Sequence, residues 1–208
     1  MKVKTIVGKD FDDLCFDLAC KIIEDDYKPD VVIGIKNGGS IIAKKVLNYL
    51  DITCKPKYYE LTIQHNCTKT FEKIHIGNIL RHMPIFSLNA IRIMQMNFYE
   101  FLYDHFNYNR KYYVDKNLDK DLKSYLMHGN KKILIIDDAI DSGNTMDEAK
   151  VYVDWFGLPM PGYIRNEIRI CTATTTYKHP KVKPDYSLYD RTIIRWPWAF
   201  DNKNKKIE

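Results

Sequence analysis

The sequence predicts an α/β fold, a mostly parallel sheet flanked by helices and interrupted by one long insertion. Two short, continuous apolar runs, Val31-Val32-Ile33-Gly34-Ile35 and Ile133-Leu134-Ile135-Ile136, have the make-up of strands buried on both faces. Each is followed by a glycine-bearing loop and a helical stretch, which is half of a parallel strand-helix-strand unit. Between the second and third predicted strands lie residues 64–130, more than a simple crossover requires.

Lys9-Asp10 can cap a helix from Phe11 to about Asp26, with Phe11, Leu14, Leu18, Ile22 and Ile23 on one face. Pro29-Asp30 breaks the chain before the first strand, Val31–Ile35. The loop Lys36-Asn37-Gly38-Gly39 leads to a helix over Ser40–Leu50, and Lys57–Ile63 reads as the next strand. In the insertion, apolar residues at helical spacing (Ile91, Met94, Phe98, Phe101, Leu102) and a break at Met83-Pro84 predict two helices between Ile76 and Phe106. From Asn107 to Asn130 the chain turns polar and mixed and is expected to be mobile. After the strand Ile133–Ile136 come a helix over Thr145–Phe156, a turn over Gly157–Gly162, a strand over Glu167–Ala173 and a last short strand at Thr192–Ile194. The tail, Asn202–Glu208, is expected to fray.

A chain of 208 residues suits one domain with a sizeable core. Its formal charge of +5 is scattered, which favours anionic small ligands over a nucleic-acid face. Five cysteines, odd in number and without a Cys-x-x-Cys pair, sit mostly among apolar residues and indicate a reducing compartment. No leader-like segment and no run of eighteen apolar residues is present, so a soluble, cytoplasmic protein with no membrane partner is expected.

The segment from Ile133 to Thr145, Ile-Leu-Ile-Ile-Asp-Asp-Ala-Ile-Asp-Ser-Gly-Asn-Thr, carries the chemistry. It brings a buried strand to its carboxyl end, where open α/β sheets bind ligands. Asp137 and Asp138 lie at that mouth. The small residues after them enter a helix, where backbone N–H groups and the hydroxyls of Ser142 and Thr145 can converge on a phosphate. Asp-Asp after a strand is also a common solvated turn, and Asp-Ser-Gly-Asn a good turn and cap.

The whole string resembles the signature by which type I phosphoribosyltransferases bind 5-phosphoribosyl-1-pyrophosphate (PRPP), with Ser142 in place of a threonine. That resemblance implies a type I phosphoribosyltransferase-like sheet and a small C-terminal hood over about 174–201 in a single domain, with the insertion acting as a lid or dimer-forming subdomain. It implies that Asp137 and Asp138 hold the ribose hydroxyls, one of them through Mg2+, that Asp141 shares a proton with a ring nitrogen of the base, and that Ser142, Gly143, Asn144 and Thr145 form the 5-phosphate loop. Three clustered carboxylates independently call for a cation.

Lys36, Asn37, Gly38 and Gly39 resemble the family's pyrophosphate loop, although the enzymes for xanthine and guanine place Arg directly before the glycines, where this chain has Asn37. Tyr177–Pro180 and Thr192–Trp198 resemble the base-recognition end of bacterial xanthine-guanine and hypoxanthine enzymes. There Lys178 matches the residue that meets a 6-oxo group, while Ile193 stands at the stacking aromatic, Ile194 beside it, and Arg195 at a carboxylate that reads a 2-amino group. An arginine cannot accept from an amino group, so hypoxanthine or xanthine is favoured over guanine. Trp196-Pro197-Trp198 reads more simply as packing.

The activity implied is purine salvage: transfer of ribose 5-phosphate from PRPP to a purine base with release of pyrophosphate, by a homodimer or higher homo-oligomer. The altered base end leaves two alternatives, a PRPP- or nucleotide-binding regulator without transfer and a transferase for a non-standard base. Nucleic acid is not an expected partner.

Overall fold

The computed structural model describes residues 1–52, 54–65, 83–106, 112–114, 120–155 and 164–199. Its strands are β1 (Lys2–Thr5), β2 (Val31–Ile35), β3 (Lys57–Leu61), β4 (Ile63–His65), β5 (Tyr112–Val114), β6 (Lys132–Ile140), β7 (Glu167–Thr175), β8 (Tyr186–Asp190) and β9 (Thr192–Arg195). Its helices are α1 (Lys9–Glu24), α2 (Gly38–Leu50), α3 (Ile85–Phe106), α4 (Lys120–Met127) and α5 (Asn144–Trp155). The central sheet has the order β3-β2-β6-β7-β8, with every neighbouring pair parallel. β1 and β9 form a separate parallel pair, and β4 and β5 an antiparallel one.

Alternation along the two apolar strands divides the core in two. Val32, Leu134 and Ile136 face a cluster with Phe11, Leu14, Leu18 and Ile22 of α1 and Ile42, Ala43 and Val46 of α2. Val31, Ile33, Ile133 and Ile135 face the other side, with Met146, Ala149 and Val153 of α5. A strand with helices on both faces has no solvated side, which is why these runs are apolar without interruption. Gly34 is required where β2 meets α2: a β-carbon there would lie 2.9 Å from the Ser40 Cα.

Several expectations are corrected. The polar stretch expected to be mobile contains α4, whose Leu122 and Leu126 are fully buried in the second core cluster. Two leucines four residues apart give an otherwise polar helix one buried stripe. The strand at the signature does not stop at Ile136 but runs to Ile140, because the β-branched Thr172, Thr174 and Thr175 of β7 continue the ladder beside it. β1 and β8 were not foreseen. Of the two helices expected between 76 and 106, α3 is present after Pro84; the region of the other, the turn at 157–162 and the tail lie outside the described residues. Trp196 and Trp198 stack at 5.0 Å with Phe11 edge-on to both, the packing role expected of them.

At the amino end of the sheet, the buried Tyr27 hydroxyl lies 3.0 Å from the carbonyl of Ile133 and 3.1 Å from that of Glu167, joining β6 to β7. Burial raises its pKa, so it stays a neutral donor. Tyr27→Phe is expected to lower stability by about 1–2 kcal/mol, seen as a lower urea midpoint at unchanged slope.

Candidate functional site

The site is built where the start of α2 meets the end of β6. Asn37 adopts φ 81°, a conformation uncommon for a residue with a side chain, and turns the chain so that Gly38 and Gly39 open α2 instead of extending the loop. Ser40 Oγ donates to the Asn37 carbonyl at 3.0 Å and holds that turn. The two glycines then lie directly on the acid pair. A β-carbon on Gly39 would come within 2.8 Å of the Asp137 Cα and of the Ile136 carbonyl oxygen. One on Gly38 would meet the Asp138 carboxyl carbon at 2.5 Å. The backbone N–H groups of a first helical turn have no partner within the helix, so this contact leaves donors beside two carboxylates.

Asp137 and Asp138 are themselves part of β6, half-buried, with the Asp138 N–H donating to Asp137 Oδ1 at 2.9 Å. Burial, then the neighbouring Asp138 charge, holds the Asp137 carboxyl well above the ordinary range. Burial pushes Asp138 up to about 6, with the Asp141 charge adding to it and hydrogen bonding with Asp137 opposing it. Among the described residues no group of three or more His, Cys, Asp or Glu could hold a metal by itself. A two-carboxylate set nevertheless fits Mg2+, which usually takes one or two carboxylates and completes its shell with waters and substrate phosphates.

Asp141 follows the strand, and its Oδ1 accepts from Thr176 Oγ1 at 2.5 Å. Thr176 is buried, and its N–H donates to the Ile140 carbonyl at 2.9 Å, so the end of β7 fixes the start of the next loop. That loop is Ser142-Gly143 followed by the first turn of α5, Asn144 and Thr145. Gly143 has φ 81°, and a β-carbon on it would sit 2.7 Å from the Val182 nitrogen. The Lys181 N–H donates to the Ser142 carbonyl at 2.8 Å and the Asp147 N–H to that of Gly143 at 2.9 Å. The result is a braced turn at a helix start, the geometry that binds anions.

The base end is less unified. Lys178 lies two residues after Thr176 and is exposed; its backbone N–H donates to Glu100 Oε1 of α3 at 2.7 Å. Ile193, Ile194 and Arg195 lie in β9, paired in register with Val3, Lys4 and Thr5. Ile194 belongs to the first core cluster. Arg195 is 3% exposed and donates to Thr5 Oγ1 at 3.1 Å and Asn89 Oδ1 at 2.8 Å, joining β1 and β9 to α3. The structure thus gathers Gly38, Gly39, Asp137, Asp138, Asp141 and the loop 142–145 at one end of the sheet, while Ile194 and Arg195 serve packing and bracing. Thr176, Glu100 and Arg191 escaped the sequence reading. A threonine run and single charges far apart carry no local signal, although an acid inside a helix otherwise rich in apolar residues was a hint.

No protein-family model matches the chain, and no curated protein resembles it in sequence. Solved structures do. A purine phosphoribosyltransferase from Pyrococcus horikoshii Ot3 superposes with a TM-score of 0.60 at 20% identity, covering 96% of this chain and 95% of that one. The Helicobacter pylori xanthine-guanine-hypoxanthine phosphoribosyltransferase gives 0.57 at 13% identity, covering 97% of each. A hypothetical protein from Neisseria gonorrhoeae with bound ppGpp gives 0.57 at 18%, covering 99% and 93%. The chain has the type I phosphoribosyltransferase fold, with its five-stranded parallel sheet flanked by helices. No helix among the described residues is long and apolar enough to cross a membrane.

Proposed function

We propose that this protein transfers ribose 5-phosphate from PRPP to a purine base, releasing pyrophosphate. The observation that carries the reading is the seating of Gly38 and Gly39 against Asp138 and Asp137, which sets donors for one phosphate group beside carboxylates for the ribose. Its support from outside is the fold shared with proteins named as purine phosphoribosyltransferases.

In this reading the 142–145 turn binds the 5-phosphate, and Asp137 and Asp138 hold the ribose 2- and 3-hydroxyls. A magnesium ion on that pair, when bound, supplies positive charge to the departing pyrophosphate. Lys36, with its exposed side chain, and the α2 amides serve the same group. The bond from the anomeric carbon to the pyrophosphate oxygen breaks as the bond to the base nitrogen forms. Asp141, oriented by Thr176, takes or shares the proton of that nitrogen. Catalysis of this kind rests on positioning and charge stabilisation. Lys178 meets a 6-oxo group with its Nζ, and Ile193 to Arg195 shape the far side through the hood. Because Arg195 is committed to Thr5 and Asn89, no carboxylate stands at this position to accept from a 2-amino group, and hypoxanthine and xanthine are preferred over guanine. A homodimer or higher homo-oligomer is the expected assembly.

Incubation with PRPP, Mg2+ and each of hypoxanthine, xanthine and guanine tests the reading. Nucleotide and pyrophosphate should form in equal amounts with at least one base; no product from any of them rejects it. A nucleotide-binding protein without transfer is the second reading, favoured by the likeness to the ppGpp-bound protein. It predicts calorimetric binding of PRPP or nucleotide with no turnover.

A further inference from the structure

Helix α3 carries one buried acid, Glu100, which is 8% exposed although Phe98 and Phe101 beside it are 59% and 49% exposed. Its carboxylate forms an ion pair with Arg191 and also accepts the Lys178 backbone N–H at 2.7 Å. The same Arg191 nitrogen donates to the Thr176 carbonyl at 2.8 Å. Arg191 holds this place from the single residue between β8 and β9, with φ 50°, a left-handed conformation that a side chain adopts only when its surroundings compel it. Thr176 in turn donates to Asp141. Glu100 and Arg191 together are therefore hydrogen-bonded to both ends of the segment 176–178.

We propose that Glu100 and Arg191 are positioning residues for the base: by fixing 176–178 they set Asp141 and Lys178, the groups assigned to a ring nitrogen and to the 6-oxo group of the purine, at one separation. The inference rests on the reading of Asp141 and Lys178 as base-binding groups. It makes α3 a structural wall of the base site, in addition to any lid or interface made by the rest of the insertion. A lone surface ion pair would contribute little, but a buried carboxylate that also serves a backbone donor costs much to remove, because the arginine and the N–H both lose their partner.

The test separates base from phosphoribosyl binding. Calorimetry compares ribose 5-phosphate, which has no base, with inosine 5-monophosphate, which does, on the wild type, Glu100→Ala, Glu100→Gln and Arg191→Lys. Glu100→Ala is expected to weaken the nucleotide about 30- to 100-fold and ribose 5-phosphate less than about 3-fold, a range typical for a displaced recognition group. Glu100→Gln keeps the shape and the acceptor for Lys178, and is expected to retain most of the nucleotide affinity. It also keeps the test open if the alanine variant does not fold. In turnover the loss should fall on KM for the base and not on KM for PRPP. Equal weakening of both ligands, or of neither, overturns the inference while leaving the transferase reading intact. A wild type that binds ribose 5-phosphate but no purine nucleotide sinks the base reading and this inference with it, while a wild type that binds neither ligand sinks the phosphoribosyl site as well.

Discussion

Alanine at Gly38 is expected to leave the protein folded and reduce transfer about 100-fold, whereas alanine at Gly39 is expected to cost the fold itself about 2–3 kcal/mol. The difference lies in what each new methyl group meets. At Gly38 it meets the carboxyl end of Asp138, a side chain that can rotate away, and rotating it removes the ribose ligand from its place. At Gly39 it meets the Asp137 Cα and the Ile136 carbonyl, backbone in the middle of β6 that can yield only if α2 lifts from the sheet. Denaturant midpoints and steady-state rates on the two variants check this. Equal loss of stability in both would refute the rotation argument.

Asp138→Asn is expected to reverse the usual relation, stabilising the protein without Mg2+ while lowering activity about 1000-fold. Burial lifts the folded-state pKa of Asp138 to about 6 from an ordinary 3.8. The folded chain thus binds this proton more tightly than the unfolded one. The contribution to stability is complete below the ordinary value and is lost as pH rises through about 6. The metal-free wild type should therefore melt lower at pH 8 than at pH 5 as far as this group decides, and the asparagine variant should lose that slope, gaining about 1–3 kcal/mol at pH 8. Mg2+ at 100 times its Kd would return about 2.7 kcal/mol to the wild type and little to the variant. Melting curves from pH 5 to 8 with and without Mg2+ decide it; a wild type indifferent to both removes the cation site.

What could be read in advance tracks how local its cause is. Val31–Ile35 was legible to the residue because a strand covered on both faces needs an unbroken apolar run. The acid pair and the phosphate turn were legible because their chemistry is contiguous, from Asp137 to Thr145. The carboxylates were nevertheless assigned to the edge of a loop, since nothing in Asp-Asp announces that the threonines of β7, more than thirty residues on, extend the ladder past them. β1 and β8 were missed for a related reason: Lys2–Thr5 is mostly exposed and becomes a strand only beside Thr192–Arg195. At the base end, motif position put Arg195 in a pocket, but tertiary packing gives its guanidinium to Thr5 and Asn89.

The pairing of Lys2 with Thr192 and of Thr5 with Arg195 has a bearing on how the protein folds. These partners are 190 residues apart in sequence, and such distant contacts are slow to form. The five-stranded sheet with its acid pair is drawn from residues 31 to 190, so the β1-β9 pair is expected to close last. Until β1 and β9 meet, Arg195 lacks Thr5, one of the two partners that hold its guanidinium.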